Sequence, residues 1–147
     1  MRILFFITLL AVSYSVTAQQ LFPVPDLVKQ AFDKQYPEAK DLKWTGGLDN
    51  HTVKFSMNEK QMKAVYTKDG IWVSTEVQSK MEELPKVVQE GFSSCKYKDW
   101  PVKEVIEVTK PRIEAVEYKI IVQKSMITKK LLVFDAKGRL YEELLSL

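Results

Sequence analysis

The sequence predicts an α+β fold built as two tandem repeats, each a helix followed by antiparallel strands. Three observations carry this expectation. Apolar residues recur at helical spacing after Pro25 and again after Pro85, 60 residues further on, and Phe32 and Phe92 repeat at the same interval. Polar and apolar residues alternate over short runs bounded by turn residues, the pattern of half-buried strands. Val65-Tyr66…Gly70 returns as Val133-Phe134…Gly138 at an offset of 68. A period of this size, with one helix and about four strands per unit, reads as an internal duplication. The units cover about residues 22–80 and 81–147.

The first helix is expected over 24–35. Pro25 suits a first helical turn, where its missing N–H is not needed, and Asp26 complements the positive helix start. Val24, Leu27, Val28, Ala31 and Phe32 form one apolar face, and Pro37 stops the helix near Tyr36. Leu84-Pro85 with Val87, Val88, Gly91 and Phe92 repeats the logic. Strands are expected at 41–44, 52–57, 62–66 and 71–77. Gly46-Gly47, Asn58-Glu59 and Lys68-Asp69-Gly70 supply the turns between them. In the second unit the strands fall at 102–108, 116–122, 130–134 and 140–144, and the Pro111 region takes up its extra length. Alternation assigns Val53, Phe55, Met57, Met62, Ala64, Tyr66, Ile71, Val73 and Val77 to the buried face. Trp72 then falls with Ser74 and Glu76 on the polar set.

The chain starts Met1-Arg2, continues with an apolar run over 3–12, and leaves it through Ser13-Tyr14-Ser15-Val16-Thr17-Ala18. This is the pattern of a secretory signal peptide over 1–18, with Val16 and Ala18 at the −3 and −1 positions. The run is about half of the ~20 apolar residues that span a bilayer. Cleavage near Ala18 leaves a single domain over 19–147, expected in the periplasm or secreted, with no membrane insertion. The formal net charge of +3 is too small to argue for nucleic acid. One cysteine, Cys95, excludes an intramolecular disulfide and any multi-cysteine metal framework.

The two units resemble the PepSY-like domain family, which is grouped with the β-lactamase-inhibitor-like fold. The residues that carry the resemblance are Val24-Pro25…Ala31-Phe32…Tyr36-Pro37…Lys43-Trp44 and Tyr66…Asp69-Gly70 in the first unit. In the second they are Leu84-Pro85…Phe92 and Phe134…Gly138. The second unit departs from the pattern in placing an aliphatic residue, Val105 or Ile106, where the first has Trp44. The resemblance implies helices packed on one face of an antiparallel sheet with the other face open. It also implies an envelope protein of the kind whose inhibitor relatives bind enzymes on that open face.

The raw material for catalysis is sparse. His51 is the only histidine and is expected as a solvated hairpin residue; no Gly-x-Ser-x-Gly elbow is present. Glu82-Glu83 and Glu142-Glu143 are adjacent pairs, whose side chains point apart on a strand. Cys95 lacks a neighbouring base and is expected to be buried structure. Gly46-Gly47 precedes a strand, so no helix N-terminus meets a phosphate there. No catalytic residue, cofactor or metal site is therefore assigned.

The sequence reading is thus a monomeric, non-enzymatic binding module. It recognises an envelope protein or peptide through the open face, with Trp72 as the apolar anchor and Lys54 and Lys63 as complementary charge. The alternatives are a carrier with an apolar pocket lined by Trp44, Phe55 and Tyr66, and a hydrolase with an unrecognised site.

Overall fold

The computed structural model describes residues 22–111 and 113–146, and the expected signal peptide over 1–18 lies outside them. In chain order the elements are α1 (Asp26–Gln35), β1 (Lys40–Thr45), β2 (Asn50–Met57), β3 (Lys60–Thr67) and β4 (Trp72–Ser79). A short 3-10 turn, Met81–Glu83, leads into α2 (Lys86–Ser94). Then follow β5 (Val102–Lys110), β6 (Ile113–Ser125), β7 (Thr128–Phe134) and β8 (Leu140–Ser146). The eight strands make one sheet in the order β1 to β8, antiparallel throughout.

Pro25 and Pro85 are the N-caps of the two helices, as their fixed φ favours. Asp26 at the start of α1 and Lys34 at its end complement the helix dipole. Val28 and Phe32 of α1 meet Val53, Phe55, Ala64 and Tyr66 in one core cluster. Val88 and Phe92 of α2 meet Val105, Tyr118, Ile120, Val122, Leu132 and Phe134 in another. Val77 pairs with Glu107 and Ser79 with Val105, so the register carries the core-facing side of β4 into that of β5. Both helices therefore cover the same face of the sheet, and none of the described elements covers the other.

Turn chemistry matches the sequence. Asn58 and Glu59 both take positive φ, +51° and +62°, as a two-residue hairpin turn with right-handed strand twist requires. Gly138, at φ +75°, closes the β7–β8 turn and also touches α2. A Cβ on Gly138 would stand 2.1 Å from the Val87 carbonyl oxygen, and one on Gly91 1.9 Å from the Gly138 carbonyl oxygen. Helix and turn thus meet backbone to backbone. The extra length of the second half is strand, with β5 and β6 spanning 9 and 13 residues against 6 and 8 in β1 and β2.

Three expectations are corrected. Leu27 and Val87 are exposed, since each lies beside rather than on the narrow stripe that its short helix buries. His51 is 3% exposed on the helix side, opposite Tyr66, because β2 begins at Asn50 and His51 already shares the parity of Val53 and Phe55. The face assignment of β4 is inverted at its start, from Ile71 to Val73, whereas Ser74, Glu76 and Val77 keep their expected faces. Tyr66 pairs with Trp72 but Val65 with Ser74, so Val73 is an extra residue. This bulge resets the alternation. Trp72 and Thr75 point to the core, while Ile71 and Val73 are exposed.

Candidate functional site

Trp72 is therefore not on the open face. Its ring packs against the α1 cluster, and its indole N–H donates to Thr75 Oγ1 at 2.9 Å. Thr75 Oγ1 also bonds the Tyr36 hydroxyl, Gln35 Nε2 donates to Tyr36 Oη at 3.2 Å, and the Tyr66 hydroxyl donates to Gln35 Oε1 at 2.8 Å. This chain of bonds ties the end of α1 to β3 and β4. Burial raises the Tyr66 hydroxyl far above its ordinary pKa, with a further push from Tyr36. Burial also raises Tyr36 against the opposing bond from Thr75. Both phenols stay neutral and serve as hydrogen-bonding scaffold.

The space next to Phe55 and Tyr66, where a carried ligand was envisaged, is occupied by Phe32. Its ring centroid lies 5.0 Å from Phe55, 5.3 Å from Trp44 and 6.4 Å from Tyr66, in edge-to-face arrangements. Cys95 is half-buried against the second core. Glu83 takes Lys60 and Ser79, while Glu143 takes Tyr97 and Lys96. Among the described residues, no three His, Cys, Asp or Glu converge as a metal site.

Lys54 and Lys63 do share the open face. They stand opposite each other in the β2–β3 register, and Lys43 stands opposite Lys54 in the β1–β2 register. Lys63 pairs with Glu76, whose other carboxylate oxygen takes Lys119 at 2.9 Å. Burial alone would raise the Glu76 carboxyl, but the hydrogen bonds from both lysines outweigh it and hold the pKa below the ordinary glutamate value. Glu117 behaves alike: Lys110, at 2.7 Å, and the Tyr141 hydroxyl overcome its burial. Burial and the bond to Glu117 push Tyr141 up to about 12. A depression of about 440 Å³ opens on this face beside Lys54, Lys63, Glu76, Gln78, Glu104 and Ile106.

The apolar part of the open face lies in the second half and was not anticipated. Register and alternation put Ile106, Val108, Ile121, Leu131, Val133 and Leu144 there. Val108 and Val133 are 2% and 3% exposed although neither belongs to a helix-side cluster. The signal was available in Ile120-Ile121-Val122 and Leu131-Leu132-Val133-Phe134. Unbroken apolar runs mark strands with both faces apolar.

These features define an α+β protein with a helix-covered, eight-stranded antiparallel sheet and one bare face. Neither the comparison with protein-family models nor that with curated proteins finds a match. Solved structures do match. A candidate periplasmic protein of Bacteroides eggerthii is 26% identical, with 84% of this chain and 89% of that one covered and a TM-score of 0.78. A DUF2874 family protein of Bacteroides ovatus is 25% identical over 84% and 88%, with a TM-score of 0.79. A BLIP-like protein of Bacteroides fragilis is 22% identical over 84% and 87%, with a TM-score of 0.76. The chain has this BLIP-like (β-lactamase-inhibitor-like) fold, as the resemblance implied. No helix among the described residues is long and apolar enough to cross a membrane.

Proposed function

We propose that this chain is an exported, monomeric, non-enzymatic binding module of the bacterial envelope that recognises a protein or peptide through the open sheet face. The observation that carries the reading is the bare face itself. It sets an apolar patch at Ile106, Ile121, Leu131 and Leu144 beside the charged row from Lys43 to Glu76, with no helix over either. Apolar surface flanked by polar groups is the anatomy of a protein-binding site. The candidate periplasmic and BLIP-like neighbours support the same reading by analogy. The reading includes removal of residues 1–18, with Gln19 as the mature N-terminus. It also includes duplication of one unit: Val24, Val28 and Phe32 recur as Leu84, Val88 and Phe92 in the two cores, and Tyr66 recurs as Phe134.

The test is capture from an envelope extract by the mature protein and by two surface variants. Ile121→Asp on the open face should abolish capture of the partner, and Leu27→Asp on the exposed side of α1 should not. Capture that survives Ile121→Asp but fails with Leu27→Asp would overturn the reading.

A further inference from the structure

Lys43, Lys54 and Lys63 stand side by side on three adjacent strands, each in register with the next. Directly opposed like charges on a sheet oppose folding, so the row costs stability unless something neutralises it. Within the chain only its inner end is neutralised. Glu76 takes Lys63 and divides its carboxylate with Lys119. Of the other carboxylates of this face, Asp41 is held by Ser56, Glu117 by Lys110, and Glu142 pairs in register with Val133 at the far side, while Glu104 lines the same depression as Lys54 and Lys63 but forms no ion pair among the described residues. Among the described residues neither Lys43 nor Lys54 has an ion-pair partner, and both are exposed.

We propose that the Lys43–Lys54–Lys63 row is the docking site for an acidic segment of a partner protein, whose carboxylates complete the ion row while its apolar neighbours settle toward Ile106 and Ile121. The proposal rests on the open-face reading above. Strands are about 5 Å apart, so the row spans about 10 Å, the reach of a short extended segment. A polyanion fits less well. It would run on from the lysines into Glu104, Glu117 and Glu142 on the same face, and the whole chain carries a formal charge of only +3.

The test uses the mature protein and fluorescence anisotropy with two labelled peptides, one with paired Asp residues flanked by Leu, the other with Gln in place of Asp. The acidic peptide should bind and the Gln peptide should not. Lys43→Gln with Lys54→Gln should weaken binding by about tenfold or more, with the gap narrowing at high salt. The same double variant should unfold at a temperature no lower than the wild type, because it relieves repulsion; this separates lost binding from lost folding. If the Gln peptide binds equally well and only Ile121→Ser weakens it, the acidic segment is wrong and the open-face reading stands. If no open-face substitution affects either peptide, or neither peptide binds, both fall. If heparin or vesicles of anionic lipid bind the row more tightly than the acidic peptide, the occupant is a polyanion and the proposal is overturned.

Discussion

Replacing Trp72 by alanine should destabilise the protein by about 3 kcal/mol, the lower end of the range for removing a buried aromatic side chain. The lower end applies because the indole is half-buried at the margin of the α1 cluster rather than at its centre. About 1 kcal/mol of the loss belongs to the bond from the indole N–H to Thr75 Oγ1. Trp72→Phe isolates that part, because it keeps most of the ring contact. Thr75 retains its bond to Tyr36, so the phenylalanine variant strands no buried hydroxyl. Urea unfolding measures both, with an unchanged slope confirming that only stability has moved. For a domain of this size the alanine variant should melt on the order of 10 °C lower. A value within about 0.5 kcal/mol of wild type, the usual effect of a surface substitution, would refute the bulge-based assignment and return Trp72 to solvent.

Other outcomes follow from the two cores and the ion row. Gly91→Ala normally favours a helix interior by up to about 1 kcal/mol. Here it should lower the melting temperature, since the new Cβ would stand 1.9 Å from the Gly138 carbonyl oxygen; a rise would mean that α2 does not touch the turn. Phe32→Ala should cost about 3–5 kcal/mol by urea unfolding, because the ring joins Trp44, Phe55 and Tyr66; a change near zero would refute the packing. Glu76 has a folded pKa below 4.5, so its stabilisation is complete above that value and is lost as pH falls through the folded pKa. Stability curves of wild type and Glu76→Gln should therefore differ at pH 7 and converge in acid. A gap that widens toward low pH would contradict the lysine-held carboxylate.

The helices, the eight strands and most of their turns were legible because each rests on local chemistry: prolines at the helix starts, alternation over half-buried strands, and glycine or Asn-Glu at the turns; the β6–β7 turn at Met126 and Ile127 carries no such signal. The face of Trp72 was not. Ile71-Trp72-Val73 is apolar at every position, so alternation alone cannot choose a parity for it. The bulge that decides it is a property of the β3–β4 pairing, which no single strand reveals. Thr75 held a clue, since a buried hydroxyl flanked by Tyr36 and Trp72 is the partner a core indole needs. Lys54 and Lys63 could be placed on their polar sets one strand at a time. Their meeting with Lys43, and the division of Glu76 between Lys63 and Lys119, depends on register across distant segments and became visible only in the assembled sheet.

A one-layer cover has a consequence for recognition. Both hydrophobic cores form between the helices and one face of the sheet, so folding leaves the opposite face little constrained. In β7 the two demands fall on adjacent residues. Leu132 is completely buried beneath α2, and Leu131 faces the other way beside Ile121. Side-chain parity therefore puts adjacent residues of a single strand on opposite faces of the sheet. The charges divide in the same manner. Glu143 closes the helix side through Tyr97 and Lys96. On the open face, Lys43 and Lys54 retain a mutual repulsion that the fold does not need. A sheet selected for stability alone would place opposite charges at those registers. Lysines kept side by side on the uncovered face, next to apolar residues that no helix reaches, are the charges that the proposed acidic segment would neutralise.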